Sequence, residues 1–133
     1  MKFFPAVFIA AASACAAGPV RYVPIEYKVV DHPETRSLQL IYENRSSKRV
    51  CIGAENWPSK GGIIDNSGDE FYLEVRGTKY FLESANDYCP NCVTKVKPRR
   101  TIISKLDYSS FELPEDMFKE KKTLYLKSIG YIC

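Results

Sequence analysis

From residue 25 to the C-terminus, β-branched and aromatic residues recur at alternate positions in short runs, each cut by Gly, Pro, Asn or Asp. A period of two places every second side chain on one face of an extended strand, so this pattern commits the chain to β structure. Residues 25–30 read as a first strand and 31–34, with Pro33, as its turn. Residues 37–43 form a second strand with Leu38, Leu40 and Tyr42 on one face. Residues 44–48 are a polar turn, and 49–52 are expected to return as the hairpin partner of 37–43. Residues 53–62 form a loop holding Trp57, Pro58 and the pair Gly61 and Gly62. The clearest hairpin joins 71–75 to 78–82 across Arg76 and Gly77. Residues 93–96, 101–108 and 123–133 supply further strand material.

A single helical signal interrupts the pattern at residues 114–121. Pro114 suits a first helical position, Glu115 and Asp116 suit the positive end of the helix dipole, and Lys119, Lys121 and Lys122 suit the far end. The fold class expected is therefore all-β: an antiparallel β-sandwich with one short helical crossover, a closed small barrel being the other solution to the same pattern. At 133 residues the chain supports one domain with a modest core.

The N-terminus has a different character. Lys2 precedes an apolar run over residues 3–12 that ends in Ala12, Ser13, Ala14 and then Cys15. A basic start, a short apolar stretch and small residues before a cut describe a secretory signal peptide over residues 1–14. The small residues ending on cysteine resemble the lipobox of bacterial lipoproteins, with Ala12 where that pattern usually carries Leu. The resemblance implies acylation of Cys15, a membrane anchor through its lipid, a tether over 15–23 and a folded domain over 24–133. It places the protein in the bacterial cell envelope, on the periplasmic face of a membrane. Ordinary cleavage after Ala14 or Ala17 leads instead to a soluble periplasmic or secreted protein, and an uncleaved anchor is the third outcome.

Five cysteines are an odd number for an exported chain, because oxidising compartments consume thiols in pairs. Acylation of Cys15 leaves Cys51, Cys89, Cys92 and Cys133. The pairing expected is Cys89 with Cys92, closing a tiny loop, and Cys51 with Cys133, closing a long one for about 4 kcal/mol in the chain-entropy account. The other arrangement bridges Cys51 and Cys133 to one member each of the close pair.

Charge and motif content narrow the function. The net charge of +3 is small and the signs interleave, which argues against nucleic acid as a partner. The densest basic stretch, Lys95, Lys97, Arg99 and Arg100, reads as a solvated strand-and-turn edge, with a binding patch as its functional alternative. His32 is the only histidine, set in a turn beside Asp31 and Pro33, so histidine-based nucleophile activation or a histidine metal site has little to draw on. Cys89 and Cys92 continue into β-type sequence rather than a helix, which favours a structural staple over a redox pair or a zinc site. The carboxylate pairs Asp69 with Glu70 and Glu115 with Asp116 fall at a turn and at a helix start. Asn44, Arg45 and Ser46 match the glycosylation acceptor pattern but read as a hairpin turn. No catalytic residue, metal or cofactor is expected.

The run Leu40, Tyr42, Asn44, Ser46, Val50, Cys51, Trp57 and Pro58, with the late cysteine pair and a C-terminal strand, resembles the small immunoglobulin-like domains of bacterial envelope lipoproteins over residues 37–133. That resemblance implies an immunoglobulin-like sandwich and carries no activity with it. The aromatic content, 13% of the chain, exceeds what so small a core needs. Trp57 with Pro58 and Lys60, and Tyr88, sit in loops where amphipathic rings can anchor a protein partner. Capping of the core end by Trp57 is the competing role. The function expected is non-enzymatic binding of a protein partner, as an inhibitor or immunity protein against a hydrolase or toxin. The alternative is an accessory subunit of an envelope assembly such as a secretion or pilus complex.

Overall fold

A computed structural model describes residues 18–58, 64, 71–83 and 93–133. Among them ten strands form three antiparallel sheets. They are β1 (Tyr22–Pro24), β2 (Tyr27–His32), β3 (Ser37–Glu43), β4 (Val50–Gly53), β5 (Tyr72–Val75), β6 (Thr78–Phe81), β7 (Val93–Val96), β8 (Thr101–Asp107), β9 (Lys122–Tyr125) and β10 (Ile129–Ile132). Sheet I has the order β1-β10-β4-β7, sheet II the order β2-β3-β8, and sheet III the order β6-β5-β9. The expected all-β class holds.

Alternation sets the core. In β3, Leu38, Leu40 and Tyr42 are buried while Gln39, Ile41 and Glu43 face outward. Sheet I contributes Val50, Ile52 and Val96, sheet III contributes Leu73 and Val75, and Leu106 of β8 joins them in one cluster. Burial of side chains of this size is worth about 1.5–3 kcal/mol each, which is why the inward parity of each strand is not free to slip.

The hairpin expected between residues 37–43 and 49–52 does not form: β4 pairs with β10 and β7 instead. The cause is Asn44. Its backbone extends the β3–β8 ladder through bonds with Arg100 and Arg99, both 2.8 Å. Its buried side-chain amide donates to the carbonyls of Lys48 at 2.8 Å and Val96 at 3.0 Å, while its Oδ1 accepts from the amide and hydroxyl of Ser46. These bonds turn the chain out of sheet II and into sheet I. The β7–β8 connection turns at the same place, with Arg99 in the left-handed region at φ 61°. Strands that switch sheets at a shared corner are a known solution for joining two sheets.

Four further boundaries differ from the pattern. Strand β2 runs on through His32, because the turn is delayed to a 3-10 segment at Pro33–Thr35 closed by Arg36 at φ 53°. The tether expected over 15–23 overlaps β1, which pairs Tyr22 with Tyr131 and Pro24 with Ile129, so order begins before residue 24. Residues 123–133 divide into β9 and β10. In place of the expected helix at 114–121 there is a 3-10 turn at Glu115–Met117. A two-turn helix gains too few bonds to offset its nucleation, and Lys122 Nζ draws on the carbonyls of Phe118 and Glu120 that such a helix would use.

The hairpin β5–β6 forms as expected. Both turn residues, Arg76 and Gly77, have positive φ, 49° and 76°, the mirror-image turn that matches strand twist.

Candidate functional site

Trp57 and Pro58, expected on an exposed loop, are buried. Trp57 is 1% exposed, its indole N–H donates to the Ser104 hydroxyl at 2.7 Å, and that hydroxyl donates to the Pro58 carbonyl at 3.1 Å. Tyr27 and Tyr42 meet the indole edge-on, each with ring centroids 6.1 Å away. A tryptophan whose one polar atom is satisfied inside loses nothing by leaving water, so this residue caps the core and offers no surface. Lys60, Tyr88, Cys89, Cys92 and Cys15 lie outside the described residues. Cys51 and Cys133 are bridged, with Cα atoms 5.9 Å apart, as expected.

The aromatic surface of the described residues lies elsewhere. Register places Phe81, Tyr72 and Tyr125 directly opposite one another across β6, β5 and β9. In β5 the buried residues are Leu73 and Val75, so Tyr72 and Glu74 face outward. The Tyr72 and Tyr125 rings stack at 4.6 Å and 20°, and Phe81 tilts against Tyr72 at 5.5 Å. Lys79 sets its ammonium 4.8 Å from the Tyr72 ring centre, a cation–π contact. Phe81 and Tyr125 remain 47% and 43% exposed, large values for rings in regular strands. Arg76 and Glu120 pair at 2.5 Å beside the hairpin turn. The result is a ridge of three rings across a whole sheet, rimmed by charge.

Tyr72 and Phe81 could have been found in the sequence. Glu74 and Lys79 mark the solvent face of each strand, Arg76 and Gly77 fix the register, and two residues further along lie Tyr72 and Phe81. Tyr125 could not, because nothing local says that residues 122–125 pair with 72–75.

A second cluster lies inside. Asp31, Tyr108 and Lys122 come from β2, the turn after β8, and β9. Lys122 Nζ donates to Asp31 at 2.7 Å and to the carbonyls of Phe118 and Glu120 at 2.6 and 2.9 Å. The Tyr108 hydroxyl donates to the other Asp31 oxygen. Burial first, and then the Asp31 bond, push the Tyr108 phenol far above the ordinary tyrosine range, so it stays protonated. Lys122 also lies 4.7 Å from the Tyr108 ring centre. Every polar atom here has a partner, and none of the clefts described below is lined by these residues, so the cluster ties sheet II to sheet III.

His32, exposed in part, holds Glu34 through Nδ1 at 3.0 Å and Gln39 through Nε2 at 3.1 Å. The Gln39 bond, then the Glu34 bond, raise its pKa above the ordinary 6.5. Open clefts of about 670 and 600 Å³ flank the first strand. One is lined by residues such as Tyr27, Lys28, Glu43 and Arg45, and the other by Val20, Tyr22, Ile129 and Tyr131 with Glu55 and Asn56. Among the described residues no group of three or more His, Cys, Asp or Glu side chains is placed to hold a metal, and no helix is long and apolar enough to cross a membrane. No family model matches the chain, and no curated protein or solved structure matches it.

Proposed function

We propose that this chain is a non-enzymatic binding protein of the bacterial envelope, held by a lipid on Cys15, that engages a protein partner through the outer face of sheet III. The single observation that carries the reading is the ridge of Phe81, Tyr72 and Tyr125. Bases and sugars bind on free ring faces, whereas Tyr72 and Tyr125 spend a face on each other and present edges and hydroxyls. Edges and phenol hydroxyls with a rim of charge suit the mixed apolar and polar contacts of a protein hot spot. The sharper form of the proposal is an inhibitor of a hydrolase, or an immunity protein against a toxin, for which a small stapled domain is suited. We read the three sheets around one core as an immunoglobulin-like sandwich, supported by strands that switch sheets at Asn44.

The test is a pull-down from envelope extract with the full chain, against the pair Tyr72→Ala and Tyr125→Ala checked for folding by circular dichroism. A stoichiometric protein recovered by the unaltered chain and depleted at least tenfold by the pair is expected, since hot-spot rings contribute about 2 kcal/mol or more each. Equal recovery by both, or no stoichiometric partner, overturns the proposal. A second reading, an accessory subunit that lends a sheet edge, draws on β9 lying at the rim of sheet III. A partner kept by the alanine pair and lost on Thr123→Pro identifies that case.

A further inference from the structure

The outer face of sheet I carries two features on one surface. Register aligns Tyr22, Tyr131, Cys51 and Lys95 in a row across all four strands. At the β1 and β10 side lies the apolar cleft of Val20, Tyr22, Ile129 and Tyr131, where Val20 and Tyr22 are 59% and 69% exposed. At the β7 side stand Lys95 and Lys97, both exposed, with Val96 between them buried. Arg49, exposed and one residue before β4, shares their parity, and its carbonyl continues the ladder to Cys133. Among the described residues none of these three cations has an ion-pair partner. Among the described residues the acid that lines this cleft is Glu55, whose carboxylate lies against Gly53.

We propose that this face rests on an anionic phospholipid surface, with Tyr22, Val20 and Ile129 at the acyl boundary and Arg49, Lys95 and Lys97 over the headgroups. Three arguments select that occupant. Unpaired cations beside exposed apolar residues are the composition that binds an anionic bilayer from its surface. Tyrosine favours the boundary, because its ring is apolar and its hydroxyl stays wet. The inference rests on the proposed anchor: Tyr22 lies seven positions after Cys15, and at full extension that span is at most about 25 Å. An acylated Cys15 therefore holds this edge of the fold close to the bilayer. Lys95 and Lys97, otherwise a solvated edge, acquire a role in this way.

The sole tryptophan supplies the control, since Trp57 is buried in the core. The full chain, extracted from the envelope, is reconstituted into phosphatidylethanolamine and phosphatidylglycerol vesicles carrying brominated acyl chains. Tyr22→Trp fluorescence is compared with that of the unaltered protein, and the mass of the N-terminal peptide is measured on the same sample. Acyl mass on Cys15 with Tyr22→Trp quenched at least twofold more than Trp57, and quenching diminished by Lys95→Glu with Lys97→Glu, is the expected result. Acyl mass without extra quenching overturns the docked face and leaves the anchor standing. Quenching without acyl mass supports the face and overturns the anchor; neither signal overturns both.

Discussion

Two aromatic clusters of similar size serve opposite ends in this molecule. Around Trp57, the rings of Tyr27 and Tyr42 meet edge to face, the indole N–H reaches Ser104, and the Tyr27 hydroxyl reaches the Leu126 carbonyl at 2.7 Å. Around Tyr72, Tyr125 stacks on one side and Phe81 tilts against the other across three strands, with much of the area of Phe81 and Tyr125 in water. The contrast shows that ring content does not decide burial. What decides it is whether each polar atom finds a partner inside, and which parity of the strand its neighbours have already claimed for the core.

The sharpest way to break the comparison is to remove one ring from each side. Trp57→Ala is expected to cost about 3–5 kcal/mol, by lost burial, an empty core site and the loss of the indole bond to the Ser104 hydroxyl. Urea denaturation measures it, and a cost below about 1 kcal/mol would show that Trp57 is not a core residue. Asp31→Ala comes next, at about 2–3 kcal/mol by the same measurement. It leaves the Lys122 ammonium, 1% exposed, without its counter-charge; the 31% exposure of Asp31 keeps the cost below that of a fully buried pair. If Asp31→Asn with Lys122→Met recovers most of that loss, the penalty belonged to the orphaned charge rather than to the pair.

Tyr125→Ala is expected to lower stability by only about 0.5–1.5 kcal/mol, the range for a partly exposed stacked pair, while weakening binding of the proposed partner at least tenfold. A large stability loss with binding intact would reverse the roles assigned to the two clusters. The smallest effect belongs to His32. Its folded pKa lies above the unfolded value, so its contribution is fully present below about pH 6.5 and is lost as pH rises through the folded value. Titration of its ring protons by NMR should show the raised value, and Gln39→Ala should bring it back toward the unperturbed one.

Legibility followed the range of the interaction. Strand β3, the hairpin β5–β6, strand β7 and most of β8 are visible as alternation, because local parity and turn chemistry specify them. The Cys51–Cys133 bridge is the pairing expected, although the cysteine count by itself allows three arrangements of the last four cysteines. The partner of β4 was not legible. A polar run after a strand ordinarily means a hairpin, and only the buried amide of Asn44, bonded to Val96 and Lys97 far along the chain, redirects it. The helical pattern at 114–121 was read from end charges that are real, yet Lys122 is committed to Asp31 and to two carbonyls in the turn. Of the residues first considered for partner binding, Trp57 fails because its indole N–H has a partner inside.

By itself the sequence determined the β class, the inward face of β3, the β5–β6 hairpin and the cysteine arithmetic, all of which depend on neighbours a few positions apart or on counting. The tertiary structure alone decided which strands pair, that Trp57 faces inward, and that Phe81, Tyr72 and Tyr125 stand in one row. Those outcomes rest on contacts between distant segments, where burial and hydrogen bonding are settled jointly and no local pattern records the partner.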